Sequence, residues 1–394
     1  MVKTKKGVLT ATHKKWLESV EQKRDLVLSN LMLLGQIPAE TFKEAERANF
    51  ALERLNESED IDGYLDEAGN VVGVLKGTNS KKKIVLSANL DTRFAQKIDH
   101  NILVNMDTAA GPGVANNSMG AAALLSIPDI IKSLKLEFES DLIFLASTKS
   151  LGRGDLVGMR HFFNTYPFGV DYVLNLAGTQ IGRVDHFCQS AVRCDISCMV
   201  ESPDEFSATG FGQDNAIIVL NELINSLLTI PISSRPKTSL NIGMIKGGKS
   251  YTSPCPLATL NIYVRSEDDA MTEKVMDAIS DCCVDVGAKN GAQLDVSFFG
   301  RQRAAGMRFS EPLVKTAINT VEELGYKPKV APSNTQIAVP LSLNIPSLTL
   351  GITKGKKSTL PEGYVELEPI SKGLLQVLMI IEAIDKGLPN DKIN

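Results

Sequence analysis

The stretch Ile84-Val-Leu-Ser-Ala-Asn89-Leu-Asp91-Thr92 opens with a short apolar run, which predicts a buried β-strand that ends in polar residues. Two more predicted strands follow, Leu142 to Ala146 and Tyr172 to Leu176. The three strands alternate with predicted helices at about Ala121 to Leu134 and Asp155 to Asn164. Strands that alternate with helices indicate an open α/β sheet covered on both faces. The sequence around Asn89 therefore predicts the α/β fold class.

Further elements on both sides extend this pattern. Apolar residues at helical spacing predict helices over residues 13–33 and 39–57, and alternation around Ala68-Gly69-Asn70 predicts a hairpin from Gly63 to Gly77. The end of the chain adds these predicted elements: a helix at about Glu311 to Leu324, short strands near Pro328 and from Ser347 to Leu350, and a closing helix from Ile370 to Ile384.

Residues 188–302 show a different order of elements. The predicted order is strand Arg193 to Val200, helix Asn215 to Leu228, strand Ser239 to Ile245, strand Ala258 to Val264, helix Ala270 to Lys289 and strand Gln293 to Phe298. This βαββαβ order is typical of a compact, ferredoxin-like α+β unit. We therefore expect an α/β domain formed by residues 1–187 and 303–394, with residues 188–302 inserted into it as a second domain.

Length, composition and charge narrow the class of protein. A chain of 394 residues with 43% hydrophobic and 22% charged residues fits two soluble globular domains. A net charge of -4 argues against general nucleic-acid binding, which usually shows as a basic excess. No secretory leader or membrane span is evident, so we expect a cytoplasmic protein that binds neither membrane nor nucleic acid.

One segment matches the pattern of a phosphate-binding loop, GxxxxGK[ST]. The segment is Gly243-Met-Ile-Lys-Gly-Gly248-Lys249-Ser250. The mechanism of such a loop needs a helix directly after it, because the helix N-terminus binds the phosphates. Here Pro254 and Pro256 follow, which favours a turn between two strands.

Several patterns of glycine and polar residues lie at the ends of the predicted strands. They are Asp91-Thr92, Gly111-Pro-Gly113-Val-Ala-Asn116-Asn117-Ser118-Met-Gly120, Gly152-Arg-Gly154-Asp155-Leu156 and Ser358-Thr359-Leu360-Pro361-Glu362. From about Ile84 onward, the chain resembles the zinc-dependent metallopeptidase family of peptidase T, glutamate carboxypeptidase, aminoacylase and succinyl-diaminopimelate desuccinylase. The resemblance implies a phosphorylase/hydrolase-like, mixed-sheet zinc-exopeptidase domain with an inserted lid. It also implies a homodimer that pairs through the lid.

The resemblance further implies two zinc ions that clamp a hydroxide, with a Glu as general base. Carried over position by position, the metal ligands and the base are replaced, although Asp91, which orients the first ligand, is kept. The vacated positions are Asn89, Asn116, Ser150 (the base), Leu151, Ala177 and Ser358, and Phe206 replaces the lid histidine that stabilises the oxyanion. Zinc needs anionic or imidazole donors, so we expect no catalytic residue, no bound metal and no cofactor.

Basic residues accompany the vacated positions. They are Lys149, Arg153, Lys354, Lys356 and Lys357. Basic groups without the family's carboxylates create a positive potential, so we expect a small anionic or peptide-like ligand between the two domains, although a set of solvated loop lysines is an equal alternative. The sequence thus predicts a catalytically inactive metallopeptidase homologue. Two alternatives stay open: an active zinc-dependent dipeptidase or amidohydrolase with a relocated site, and a nucleotide-binding or scaffold protein.

Overall fold

A computed structural model describes residues 9–201, 215–251 and 253–388 of the chain. The chain divides into two compact units. The first unit comprises the chain up to Cys188 together with the chain from Gly306 onward, and the second comprises Gln189–Ala305. No helix within the described ranges is long and apolar enough to cross a membrane.

Within the described residues up to Cys188, the first unit contains five α-helices and nine strands. The helices are α1 (Ala11–Gln22), α2 (Arg24–Gln36), α3 (Ala45–Asn56), α4 (Met119–Leu134) and α5 (Val157–Thr165). The strands are β1 (Ile61–Leu65), β2 (Val71–Leu75), β3 (Lys83–Asn89), β4 (Leu103–Val104), β5 (Thr108–Ala110), β6 (Asp141–Ser147), β7 (Tyr172–Thr179), β8 (Val184–Asp185) and β9 (Phe187–Cys188). A π-helical turn, Val114–Ser118, leads directly into α4.

In its described residues, the second unit is an antiparallel sheet with two helices. Its elements are β10 (Ser190–Met199), α6 (Ala216–Leu227), β11 (Thr238–Gly247), β12 (Leu257–Ser266), α7 (Asp269–Asn290) and β13 (Gln293–Gln302). The strands lie in the order β11-β12-β10-β13, and all neighbours are antiparallel. The predicted βαββαβ unit is therefore confirmed, and its core lies between the sheet and the two helices.

The rest of the chain completes the first unit. Its elements are β14 (Ala305–Gly306), α8 (Pro312–Glu323), α9 (Ala338–Ser342), β15 (Ser347–Thr353), β16 (Gly355–Lys356), β17 (Tyr364–Glu366) and α10 (Ile370–Asp385). A small antiparallel sheet has the order β16-β17-β5-β4, and none of these short strands was predicted.

A seven-stranded mixed sheet forms the centre of the first unit, in the order β1-β2-β6-β3-β7-β15-β8. The four middle strands β6, β3, β7 and β15 are parallel, whereas β2 and β8 join them antiparallel. Every residue of β6 and β15 is buried, as expected for parallel strands covered on both faces. The predicted α/β class with a mixed sheet and an inserted α+β unit is confirmed.

Three local predictions differ from the structure. The helix predicted over residues 13–33 is two helices that meet at Lys23, and the helix predicted over residues 39–57 begins only at Ala45. No strand forms near Pro328 within the described chain, where Lys329 makes only a single bridge to Arg183. Apolar spacing therefore located the two helical segments but not the break at Lys23 or the start at Ala45.

Candidate functional site

The vacated positions gather along one edge of the seven-stranded sheet. Because β6, β3, β7 and β15 are parallel neighbours, their carboxyl ends lie at the same edge, where open α/β sheets bind ligands. The six described positions lie as follows: Asn89 ends β3, Ser150 and Leu151 follow β6, Ala177 lies in the last part of β7, Ser358 follows β16, and Asn116 lies in the π-helical turn before α4. Phe206 lies outside the described residues.

Two glycines of the family pattern bring the π-helical turn against β7. A Cβ atom on Gly120 would lie 2.3 Å from the carbonyl oxygen of Leu176. A Cβ atom on Gly178 would lie 2.3 Å from the carbonyl oxygen of Asn116. No larger residue fits such a close approach of two backbones. These glycines therefore bring the turn that carries Asn116 into close contact with β7.

The Asp91 carboxylate lies at the centre of this edge and is fully buried. Its Oδ1 atom accepts a hydrogen bond from the side-chain amide of Asn89 at 2.8 Å. Its Oδ2 atom accepts three more, from the hydroxyl of Thr41 at 2.9 Å and from the backbone N–H groups of Ser150 at 2.9 Å and Leu151 at 2.7 Å. The residues at three vacated positions thus donate to the one retained acid.

Gln336 connects the Ser150 position to the end of β6. Its side-chain amide donates to the Ser150 hydroxyl at 2.7 Å and accepts from the Ser147 hydroxyl at 3.1 Å. All three side chains are buried. Sequence reasoning missed Gln336, because it lies 186 positions from Ser150 in the chain and belongs to no recognised motif.

A buried guanidinium lies next to Asp91. Arg47 on α3 is fully buried and donates to the carbonyl oxygens of Gly35, Ile37 and Leu90 and to the hydroxyl of Ser118. Burial lowers the pKa of Arg47 to about 10, while the Asp91 carboxylate acts in the opposite direction. Arg47 therefore stays charged at neutral pH and supplies a fixed positive charge inside the first unit.

The loop after β6 is held by two buried acids. Lys149, Asp155 and Leu156 all have positive φ angles, a conformation that is costly for residues other than glycine. The Lys149 N–H donates to the Glu44 carboxylate at 2.8 Å, next to the two N–H groups bound by Asp91. Burial raises the pKa of Glu44, and the hydrogen bond from Lys149 opposes that shift.

The residues at the vacated positions do not fit a pair of zinc ions. Amide, hydroxyl and aliphatic groups supply none of the anionic or imidazole donors that zinc binds, and the lone pairs of Asp91 are engaged by four donors. Within the described residues, no group of three or more His, Cys, Asp or Glu side chains could hold a metal ion.

The predicted basic residues fall into two groups along the edge. Lys149 and Arg153 follow β6, whereas Lys354, Lys356 and Lys357 follow β15, which is the third strand from β6, after β3 and β7. Lys354 lies 3.6 Å from Glu366, and Lys357 lies 3.5 Å from Glu362. These two lysines are therefore partly neutralised.

Arg93 is an additional basic residue at this edge that sequence reasoning missed. It is exposed and directly follows Asp91-Thr92 at the end of β3. Within the described chain, Arg93, Lys149 and Lys356 have no carboxylate within 4.0 Å of their cationic groups. The position of Arg93 two residues after Asp91 was the signal that could have identified it.

The segment that matches a phosphate-binding loop has another structure. Its first five residues end β11, and Gly248 turns the chain with a φ of 83° and donates its N–H to the Cys255 sulfur at 2.9 Å. Leu257 then begins β12. No described residue between the two strands is helical, so the helix N-terminus on which phosphate binding depends is missing there.

Comparisons with known proteins agree with this fold. Residues 70–189 match the family described as peptidase family M28, and residues 207–290 match the peptidase dimerisation domain. A tripeptidase from Staphylococcus aureus superposes with a TM-score of 0.76 at 18% identity and covers 92% of this chain and 99% of its own. The dipeptidase Dug1p from Saccharomyces cerevisiae gives a TM-score of 0.79 at 13% identity, covering 96% of this chain and 100% of its own.

The chain has the metallopeptidase fold. The resemblance recognised from the sequence is thereby confirmed. The metallopeptidase fold also appears in YXEP from Bacillus subtilis, described as a dinuclear metal binding peptidase of the M20 family, with a TM-score of 0.66 at 15% identity over 93% of this chain and 99% of that one. An uncharacterised Bacillus subtilis protein, YqjE, is 22% identical over 389 residues, which are 93% of this chain and all of YqjE.

Proposed function

We propose that this metallopeptidase homologue is catalytically inactive and binds no zinc at the family site. The observation that carries the proposal is the closure of the vacated site around Asp91. Backbone N–H groups of Ser150 and Leu151, at the positions of the family's base and ligand, point to the carboxylate that would otherwise orient a metal-binding histidine. A zinc ion entering here would find no charged or imidazole donor at the ligand positions.

Metal content and hydrolysis test this part of the proposal. Purified full-length chain, expressed with added zinc and then dialysed, is expected to hold well below one equivalent of any divalent metal. It is also expected to hydrolyse neither dipeptides nor N-acylated amino acids above the buffer rate. An active enzyme with a relocated site would instead hold stoichiometric metal and lose its activity in a chelator.

The carboxyl edge is proposed to bind a peptide-like ligand that carries anionic groups. Lys149 follows β6 and Lys356 follows β15, and these strands are three strand spacings apart, or about 14 Å. An extended peptide of about four residues spans that distance at roughly 3.3 Å per residue, whereas a single phosphate ion reaches only one group. Arg93 follows β3, between the two groups, which favours the extended ligand.

Calorimetric titration can test this ligand class. The probes are an acetylated tetrapeptide with an acidic residue at each end, its amidated neutral counterpart and inorganic phosphate. The acidic peptide is expected to bind best, and Lys149→Ala, Lys356→Ala and Arg93→Ala are each expected to weaken it about five-fold or more. Lys274→Ala, on the exposed side of α7, is the matched control. Equal binding to all four variants, or no binding of any probe, would exclude the ligand site but leave the loss of zinc untouched.

We further propose that two copies pair through the inserted unit. In its described part, β11 is an edge strand of ten residues with a partner on one side only, and its Met244 and Ile245 are 44% and 49% exposed. Apolar edge strands readily pair with another chain. Sedimentation is expected to show a dimer that Ile245→Lys dissociates and the control Val157→Lys on α5 does not. A monomeric wild-type chain would exclude this interface.

A further inference from the structure

A surface pocket of about 280 Å³ lies between the β1–β2 hairpin and the end of α5, and none of the vacated positions lines it. Its walls combine aromatic rings with acidic groups. Tyr64, Phe162 and Tyr166 line it, together with Asp66 and Glu67. No step of the proposed function uses these residues.

The aromatic side of the pocket is firmly built. The rings of Phe162 and Tyr166 stack with centroids 4.8 Å apart and an angle of 23° between their planes. Phe162 is only 2% exposed and forms the floor, whereas Tyr64 on the edge strand β1 is 46% exposed. Burial raises the pKa of Tyr166 to about 12, so its phenol stays neutral.

The acidic side of the pocket is fixed in place. Oδ1 of Asp66 accepts the backbone N–H groups of Ala68 and Asn70 at 2.9 Å each, and Oδ2 accepts the Asn70 amide at 2.7 Å. These bonds hold the negative charge next to Tyr64. Glu67 is 90% exposed at its side chain and lies 3.6 Å from His161 across the pocket, so it can turn toward a ligand.

We propose that this pocket binds an alkylated ammonium group. A methylated ammonium cation is attracted both by the faces of aromatic rings and by nearby carboxylates. Its desolvation costs little free energy, because the methyl groups already shield the charge from water. The pocket volume accepts such a group with room for the chain attached to it. Neither an anion nor an uncharged apolar group matches walls that carry two carboxylates. The group could belong to free choline or to a methylated lysine side chain, because both present the same chemistry.

Nuclear magnetic resonance titration of the full chain tests the proposal with three probes. They are choline, its uncharged isostere 3,3-dimethylbutan-1-ol and N-acetyl-trimethyllysine amide. At least one cationic probe is expected to shift resonances of the pocket saturably and to bind about five-fold or more tightly than the uncharged isostere. The tighter of the two cations identifies the source of the group.

Two variants assign the binding to the pocket. Tyr64 is partly exposed, so Tyr64→Leu is expected to fold normally. It is expected to weaken binding of the cation about five-fold and to leave binding of the uncharged isostere unchanged. Glu67→Gln is expected to weaken the cation two- to three-fold and to reduce its dependence on salt. The matched controls are Tyr251→Leu and Glu18→Gln, both exposed and outside the pocket. Equal affinity for choline and the isostere, no saturable binding, or no effect of either pocket variant would overturn the proposal.

Discussion

Replacing Asp91 by Asn is expected to destabilise the protein by about 3 kcal/mol, although no ligand or metal is lost. The carboxylate accepts four hydrogen bonds from Thr41, Asn89, Ser150 and Leu151. Hydrogen bonds to a charged acceptor are roughly twice as strong as neutral ones, so each loses about 1 kcal/mol. The four weakened hydrogen bonds together cost about 4 kcal/mol. Removing the desolvation penalty of the buried charge offsets about 1 kcal/mol of this, which leaves a net destabilisation of about 3 kcal/mol.

Asp91→Ala is expected to cost about 5 kcal/mol, because it leaves the buried N–H groups of Ser150 and Leu151 without any partner. At about 2 °C per kcal/mol for a large domain, the two variants lower the melting temperature of the first unit by about 6 °C and about 10 °C. Calorimetric scans measure this directly, and the exposed Asp107→Asn serves as control. If Asp91→Asn melts within 1 °C of the control, about half a kcal/mol, Asp91 does not hold the loop and the reasoning is wrong.

Three further predictions concern the same part of the fold. Arg47→Met leaves three buried carbonyl oxygens without a donor and is expected to cost about 4 kcal/mol in chemical denaturation, with Arg54→Met on the same helix as control. The pKa of Glu44 is higher in the folded protein than in the unfolded chain, so the folded state binds the Glu44 proton more tightly. This contribution to stability is fully present below the unfolded pKa and is lost as the pH rises through the folded pKa. The stability of Glu44→Gln relative to wild type should accordingly increase between pH 4 and pH 7, and a flat difference would contradict this. Asn89→His restores the family's imidazole alone, and zinc titration is expected to show no stoichiometric site, because Asp91 keeps its other donors and no further ligand is at hand.

Sequence patterns predicted the elements that carry long periodic signals. The apolar run Ile84 to Leu86 became the centre of β3, and the order of elements after Arg193 became the antiparallel sheet of the second unit. The small sheet formed by β4, β5, β16 and β17 was missed, because strands of two or three residues leave no periodicity to detect.

The candidate site shows a similar division. The expected ligand positions could be proposed from the sequence, because glycines such as Gly120 and Gly178, which close backbone contacts require, set the register around them. The network that now fills the edge could not, because Gln336 and Arg47 reach it from distant segments and belong to no motif. Lys357 was predicted to face a ligand, whereas Glu362 now lies 3.5 Å from it. An ion pair such as Lys357–Glu362 depends on how the backbone turns between the two residues, and their spacing in the sequence does not reveal that geometry.

The metal content of the purified full-length chain tests the central claim most directly. Mass-spectrometric elemental analysis after expression in zinc-supplemented medium is expected to find well below one equivalent of zinc, manganese or cobalt per chain. Adding a chelator is expected to leave the melting temperature unchanged. About two equivalents of bound metal, with a melting temperature that falls in the chelator, would show that the chain still holds a two-metal centre and would contradict the account.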